Sequence, residues 1–213
     1  DVLQMAVSSL GTFYDLEVNP EKVKGKEYND EYFLNTSATL IGALGSIVAA
    51  WHRIRNGDEP ISSKPDCTYA ENFLHILGAE NITPLMTRIM DATLVLHGEH
   101  TINASTFTAM VTSSTLANAS QVVASAIGSL SGPLHGGANE KVIAMLQKIE
   151  SKEEIRPWLD ETLKAKNVVW GMGHREYSVK DPRANILTDM VQELFDERDG
   201  GVTDIFEKDI ELE

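Results

Sequence analysis

Residues 101–139 contain no Asp, Glu, Lys or Arg, and this stretch restricts the folds open to the chain more than any other feature. Within 104–132, 19 of 29 residues are Ala, Gly, Ser or Thr, a composition that lets two helix backbones approach closely. A flexible Ser/Thr/Ala linker is the competing reading. Val122, Val123, Ile127 and Leu130 recur at helical spacing and weigh against it. Helices that are uncharged all round require burial all round. A chain of 213 residues has little room to surround two of them. The pair is therefore expected at the centre of a larger body, at a homodimer interface.

Elsewhere helical periodicity dominates. Over 36–55 the residues Leu40, Ile41, Leu44, Ile47, Val48, Trp51 and Ile54 form one apolar stripe, with Thr36 or Ser37 as cap and Gly57 as stop. Residues 57–66 read as a loop. A shorter helix is expected over 69–77, ended by Gly78, and the next opens on Thr83 and Pro84, a cap followed by a first-turn proline. Later helices are expected over 139–149, 152–166 and 182–198, the last capped by Asp181. Alternating patterns are almost absent, residues 168–170 being the best short strand candidate. The expected fold class is all-α.

Charge and cysteine content exclude whole classes of function. The net charge of −14 argues against a general binder of nucleic-acid phosphates. Residues 189–213 concentrate the acid, ten Asp/Glu against two Lys/Arg, and read as partly solvated. Cys67 is the single cysteine, so no intrachain disulfide can form, which fits a reducing compartment such as the cytoplasm. No run of about 20 apolar residues occurs, so no membrane span is expected. The opening Asp1-Val2-Leu3 shows no signal peptide. The final residues carry no stop signal, as in a chain cut mid-element.

Four of the six histidines stand in unusual local sequence. His52 and His75 lie on ordinary amphipathic helices and read as structural. His97-Gly98-Glu99-His100 leaves three readings open: a metal-binding pair, imidazoles facing an anionic ligand at a helix end, or a satisfied core histidine at His97. The missing HExxH pattern weakens the metal reading, and no metal is expected. Gly132-Pro133-Leu134-His135-Gly136-Gly137 presents a His between glycines just before a helix. Glycines admit close approach of a ligand, and the N–H groups of the helix start favour an anion. An incidental His in an ordinary turn is the alternative. Gly171-Met172-Gly173-His174-Arg175, followed by Asp181-Pro182-Arg183, again puts a His after glycines and an Arg in a helix's first turn. A cation there opposes the macrodipole, so Arg183 is either solvent-exposed or needs a carboxylate partner or ligand. Histidines and an arginine from separate loops suit a small polycarboxylate, one His moving a proton. Cys67, in a polar loop, offers no nucleophile context.

At these residues the sequence resembles citrate synthase. LHGEHTINASTFTAMV (96–111), SGPLHGGANEKVIAML (131–146) and GMGHREYSVKDPRANIL (171–187) stand in that family's order and at similar separations, with further likeness through AAWHRIRNG (49–57) and YAENFLHILG (69–78). The resemblance implies a transferase that condenses acetyl-CoA with oxaloacetate and water to citrate and CoA, the entry step of the tricarboxylic acid cycle. It implies no metal and no cofactor beyond acetyl-CoA as substrate. The implied architecture is a helical large domain, including the dimer-interface helices, over 1–134, and a small CoA-binding domain over 135–213, in a homodimer. His135 matches the histidine that assists enolisation of the thioester. His100 and His174 match those that hold and polarise oxaloacetate, and Arg183 matches an arginine that binds its carboxylate. Val168, Val169, Trp170, Gly171, Met172 and Gly173 resemble the stretch that recognises the CoA adenine.

The departures from the pattern are equally specific. The chain is about half the family's length and is expected to be truncated at both ends. The family's catalytic aspartate lies beyond the DPR motif, and none of Asp196, Asp199, Asp204 or Asp209 stands in a matching context. Two alternatives accompany the main reading: a 2-methylcitrate synthase using propionyl-CoA, and a non-catalytic fragment.

Overall fold

The computed structural model describes residues 1–99, 101–172, 179–197 and 204–212. They form ten α-helices, two 3₁₀ turns and no strand among the described residues. Two compact units divide at Ser131/Gly132.

The first unit, Asp1–Ser131, is built on α1 (Val2–Ser9), α2 (Lys26–Arg55), α3 (Tyr69–Leu77), α4 (Pro84–Leu96), α5 (Ala104–Ser113) and α6 (Ala119–Leu130). Side-chain caps start the last four. Thr68, Thr83, Asn103 and Asn118 accept from the backbone N–H groups of Glu71, Met86, Thr106 and Gln121. Gly78 ends α3 in the left-handed region at φ +95°, as its sequence position predicts.

The start of α2 is a correction. It begins ten residues before the expected cap, at Lys26 after Gly25, and Thr36 lies buried inside it. Residues 26–35 lack apolar periodicity but are tied to the preceding loop. Asn29 Nδ2 donates to the Val23 carbonyl at 2.6 Å and the Tyr32 hydroxyl to that of Leu16 at 2.9 Å. The stripe on α2 is also wider than the face this unit covers. Leu40, Leu44 and Ile47 join Val7, Leu10, Leu16 and Ala124 in the core, whereas Ile41, Val48, Trp51 and Ile54 remain exposed. By length and composition Asn29–Arg55 reaches mean hydropathy 1.5 and could cross a bilayer, although it holds no long unbroken apolar run. Here α2 packs along α1 and α3.

The uncharged stretch folds as the expected helix pair. Ser105 Oγ donates to the Ala126 carbonyl at 3.1 Å, and the Thr112 and Ser125 hydroxyls meet at 2.9 Å, so small polar side chains join α5 to α6. On its other side α6 packs against α1, where Gln121 Nε2 donates to the Ser8 carbonyl at 3.1 Å and Ser120 is fully buried. Burial all round is not achieved within this unit. No residue of α5 is buried, and Phe107, Met110 and Val111 are 61%, 50% and 53% exposed.

The second unit, Gly132–Glu213, contains α7 (Ala138–Leu146), α8 (Ile155–Lys164), α9 (Pro182–Asp196) and α10 (Asp204–Leu212). Met145, Leu146 and Val169 form its buried cluster, with Val142, Trp158, Leu159, Trp170, Ile205 and Leu212 packed around them. The sequence reading did not anticipate α10. Its Ile205 and Leu212 enter the core and Lys208 is buried against Asp204, so part of the acidic C-terminal segment is packed and not solvated. The strand considered at 168–170 does not form. Its backbone is irregular and turns at Trp170, with Val169 inserted into the cluster.

Candidate active site

The His135 turn is compact because one carbonyl gathers it. The Gly132 oxygen accepts from the His135 N–H at 3.0 Å and from the Gly137 N–H at 3.4 Å, and the Ala138 N–H then donates to the His135 carbonyl at 3.4 Å. Gly137 is required by space. A Cβ there would stand 3.0 Å from Pro133 Cα, a backbone atom that cannot swing aside. The turn leads directly into α7, whose start carries no side-chain cap. A half-buried imidazole is thus presented beside backbone N–H groups suited to an anion.

A second turn lies against the same helix. The Met172 N–H donates to the Val169 carbonyl at 3.2 Å, and Gly171, at φ +89°, sits where a Cβ would meet Val142 Cγ2 of α7 at 3.2 Å. Val169 is buried, whereas Val168 is exposed. Behind this segment, Leu159, Leu163, Val168, Val169, Met172 and Leu212 line an open, mainly apolar cavity of about 440 Å³. Lys141 touches both turns. Its Nζ donates to the Pro133 carbonyl at 3.4 Å and stands 4.0 Å from the centroid of the Trp170 ring. The sequence reading passed over Lys141. A signal was present, since it is a cation in the early part of a helix, where the macrodipole disfavours it.

Arg183 has the carboxylate partner that its position demands, and that partner is Asp181, the cap of its own helix. Arg183 Nε donates to both carboxylate oxygens, at 3.0 and 3.1 Å, and Nη2 donates to Oδ2 at 2.6 Å. The backbone N–H of Arg183 also donates to Oδ1 at 2.9 Å. The carboxylate therefore caps α9 and fixes the guanidinium together.

His100, Gly173 and His174 lie outside the described residues. His97 is exposed, so the core reading of it fails, although its Nδ1 is satisfied 2.6 Å from the Thr93 carbonyl oxygen. Among the described residues no group of three His, Cys, Asp or Glu side chains could hold a metal ion. Burial and then the neighbouring Glu71 carboxylate push the Cys67 thiol above its usual range, which disfavours the nucleophilic thiolate.

Residues 1–211 match the family described as citrate synthase, C-terminal domain. The chain belongs to the citrate synthase family. It is 42% identical over 213 residues to citrate synthase of Acidithiobacillus ferridurans, covering 100% of this chain and 54% of the relative. Citrate synthase of Synechocystis sp. is 42% identical over 214 residues, with 100% and 51% covered. The chain thus spans about half the length of the curated relatives it matches. Among solved structures, citrate synthase of Thermoplasma acidophilum, in a ternary complex with carboxymethyl coenzyme A and oxaloacetate, matches with TM-score 0.81 at 27% identity, over 99% of this chain and 53% of that one. Citrate synthase of Thermotoga maritima matches with TM-score 0.73 at 31% identity, over 100% and 60%.

Proposed function

We propose that this citrate synthase chain serves the condensation of acetyl-CoA with oxaloacetate and water to give citrate and free CoA. The observation that carries the reading is the His135 turn, a glycine-bounded imidazole beside the start of α7 in a chain 42% identical throughout to a citrate synthase.

In this reading the thioester methyl group loses a proton, and the resulting carbon forms a bond to the ketone carbon of oxaloacetate. The ketone oxygen takes up a proton, and water then cleaves the thioester to release CoA. His135 donates a hydrogen bond to the thioester oxygen, where enolate charge develops. His174 polarises the ketone, and His100 and Arg183 hold oxaloacetate, the guanidinium being oriented by Asp181. Val168, Val169, Trp170, Gly171, Met172 and Gly173 receive the adenine. The carboxylate that takes the methyl proton is not assigned to any residue of this chain. The reaction calls on no metal, and acetyl-CoA enters as substrate.

The reading extends to a cytoplasmic enzyme at the entry to the tricarboxylic acid cycle. The two units act as parts of a large and a small domain, and the α5–α6 pair lies at a homodimer interface. The exposed Phe107, Met110 and Val111 support the last point.

The test is thiol release from acetyl-CoA by the 213-residue chain, with and without oxaloacetate, and with propionyl-CoA in parallel. A rise in melting temperature on adding oxaloacetate is the expected result, and release that depends on oxaloacetate would show in addition that the base lies within these residues. No release, together with no rise in melting temperature on adding oxaloacetate, overturns the reading.

A further inference from the structure

We propose that Lys141 is a positioning residue that ties the His135 turn to the Val169–Met172 turn, so that the two ends of an acyl-CoA are received by one rigid unit. The inference rests on the function proposed above for its ligand, while the tie itself stands on geometry alone.

Three observations converge on it. The Lys141 ammonium donates to the carbonyl of Pro133, two residues before His135. The same ammonium lies over the face of Trp170, beside the turn closed by the Met172 N–H on the Val169 carbonyl. Both turns are also braced by α7 itself, through the Ala138 N–H on the His135 carbonyl and through Val142 beneath Gly171. Lys141 stands between these braces on the same helix, and its charge reaches outward to both loops. A cation over an indole is held by the ring's negative face, and a carbonyl oxygen directs the remaining N–H bonds. One flexible side chain thereby couples residues 133 and 170, which the chain itself separates widely.

The consequence for the proposed reaction is specific. Enolisation needs the thioester oxygen to meet the His135 imidazole in a narrow geometry. A nucleotide end anchored at 168–172 assists only if that anchor keeps its distance from the His135 turn. Loss of the tie leaves only the α7 braces to hold the two turns in register, which weakens acyl-CoA binding without removing any group that touches the reacting atoms.

The experiment compares the whole chain with Lys141→Met and Lys141→Arg. Hydrogen exchange is read at the His135, Gly137 and Met172 amides, with α8 amides as internal control, and acetyl-CoA binding is read by calorimetry. Lys141→Met should speed exchange at both turns about twofold to fivefold, the range expected for one exposed cation–π contact, with α8 unchanged. It should weaken acetyl-CoA binding by a similar factor, and Lys141→Arg should restore both. Trp170→Leu should reproduce the rise at the Gly137 amide, although it lies on the other turn. A change confined to one turn overturns the proposal, as does an Arg variant no better than Met. Coupled exchange in a chain that binds no acetyl-CoA keeps the tie and overturns the functional reading beneath it.

Discussion

Tyr69 reaches across from α3 into the space left by Gly45 on α2. Its hydroxyl donates to the Ile41 carbonyl at 2.8 Å, and a Cβ built on Gly45 would stand 2.5 Å from that hydroxyl oxygen and 3.3 Å from the ring. The absent side chain is therefore what allows α2 and α3 to pack as they do. Gly45→Ala should lower stability by about 1–3 kcal/mol through overpacking. Tyr69→Phe removes the crowded oxygen, so the double variant should lose less than the sum of the two single losses. Denaturant melts of the four chains give the coupling directly.

At the candidate site, His135→Ala tests chemistry against binding. Removing one donor to a developing oxyanion typically costs about 10²–10³ in kcat, and KM for acetyl-CoA should change only a few-fold. Equal losses in kcat and in binding would count against the role given to His135. The measurement uses a preparation in which oxaloacetate-dependent thiol release has been established.

Acid pH should act through Glu153. Its own backbone N–H and then the Ser151 hydroxyl hold the carboxyl below the usual value of 4.5. A depressed carboxyl pKa stabilises the fold above the unfolded value, and that contribution fades as pH falls through the folded one. Melting temperature followed from pH 6 to about 3 should therefore fall less steeply in Glu153→Gln than in the parent over the lower part of that range.

Cys67 offers a chemical readout of its surroundings. Burial and the Glu71 carboxylate both raise the thiol's pKa, so the unmodified chain should react slowly with iodoacetamide at pH 8. Glu71→Gln removes the charge and keeps the backbone N–H that Thr68 caps. Alkylation should then accelerate, as followed by mass spectrometry. An unchanged rate would show that burial alone sets the reactivity.

What could be read from the sequence was what short-range chemistry determines. Thr83 with Pro84 marked a helix start, and Gly78 marked an end, because caps and left-handed glycines act within a few residues. The demand of Arg183 for a carboxylate followed from the macrodipole, and its partner proved to be two residues away. The early start of α2 depends instead on Tyr32 reaching back to Leu16, a contact without local signature. In α10, the apolar residues Ile205 and Leu212 are diluted among acids, so the strong charge concealed the packing face. Lys141 and Trp170 meet only after α7 and the 168–172 segment have docked, and no spacing rule connects them.

The Asp181–Arg183 pair has an electrical consequence for whatever anion approaches the first turn of α9. Seen from beyond a few ångströms, the two opposite charges cancel, and the approaching group senses a small dipole set in a chain of net charge −14. Long-range attraction cannot draw such a ligand in, and capture depends on the fit of the last few ångströms. Its arrival rate should consequently rise with ionic strength, as salt screens the repulsion from the net negative chain, whereas at a site built on bare cations it would fall.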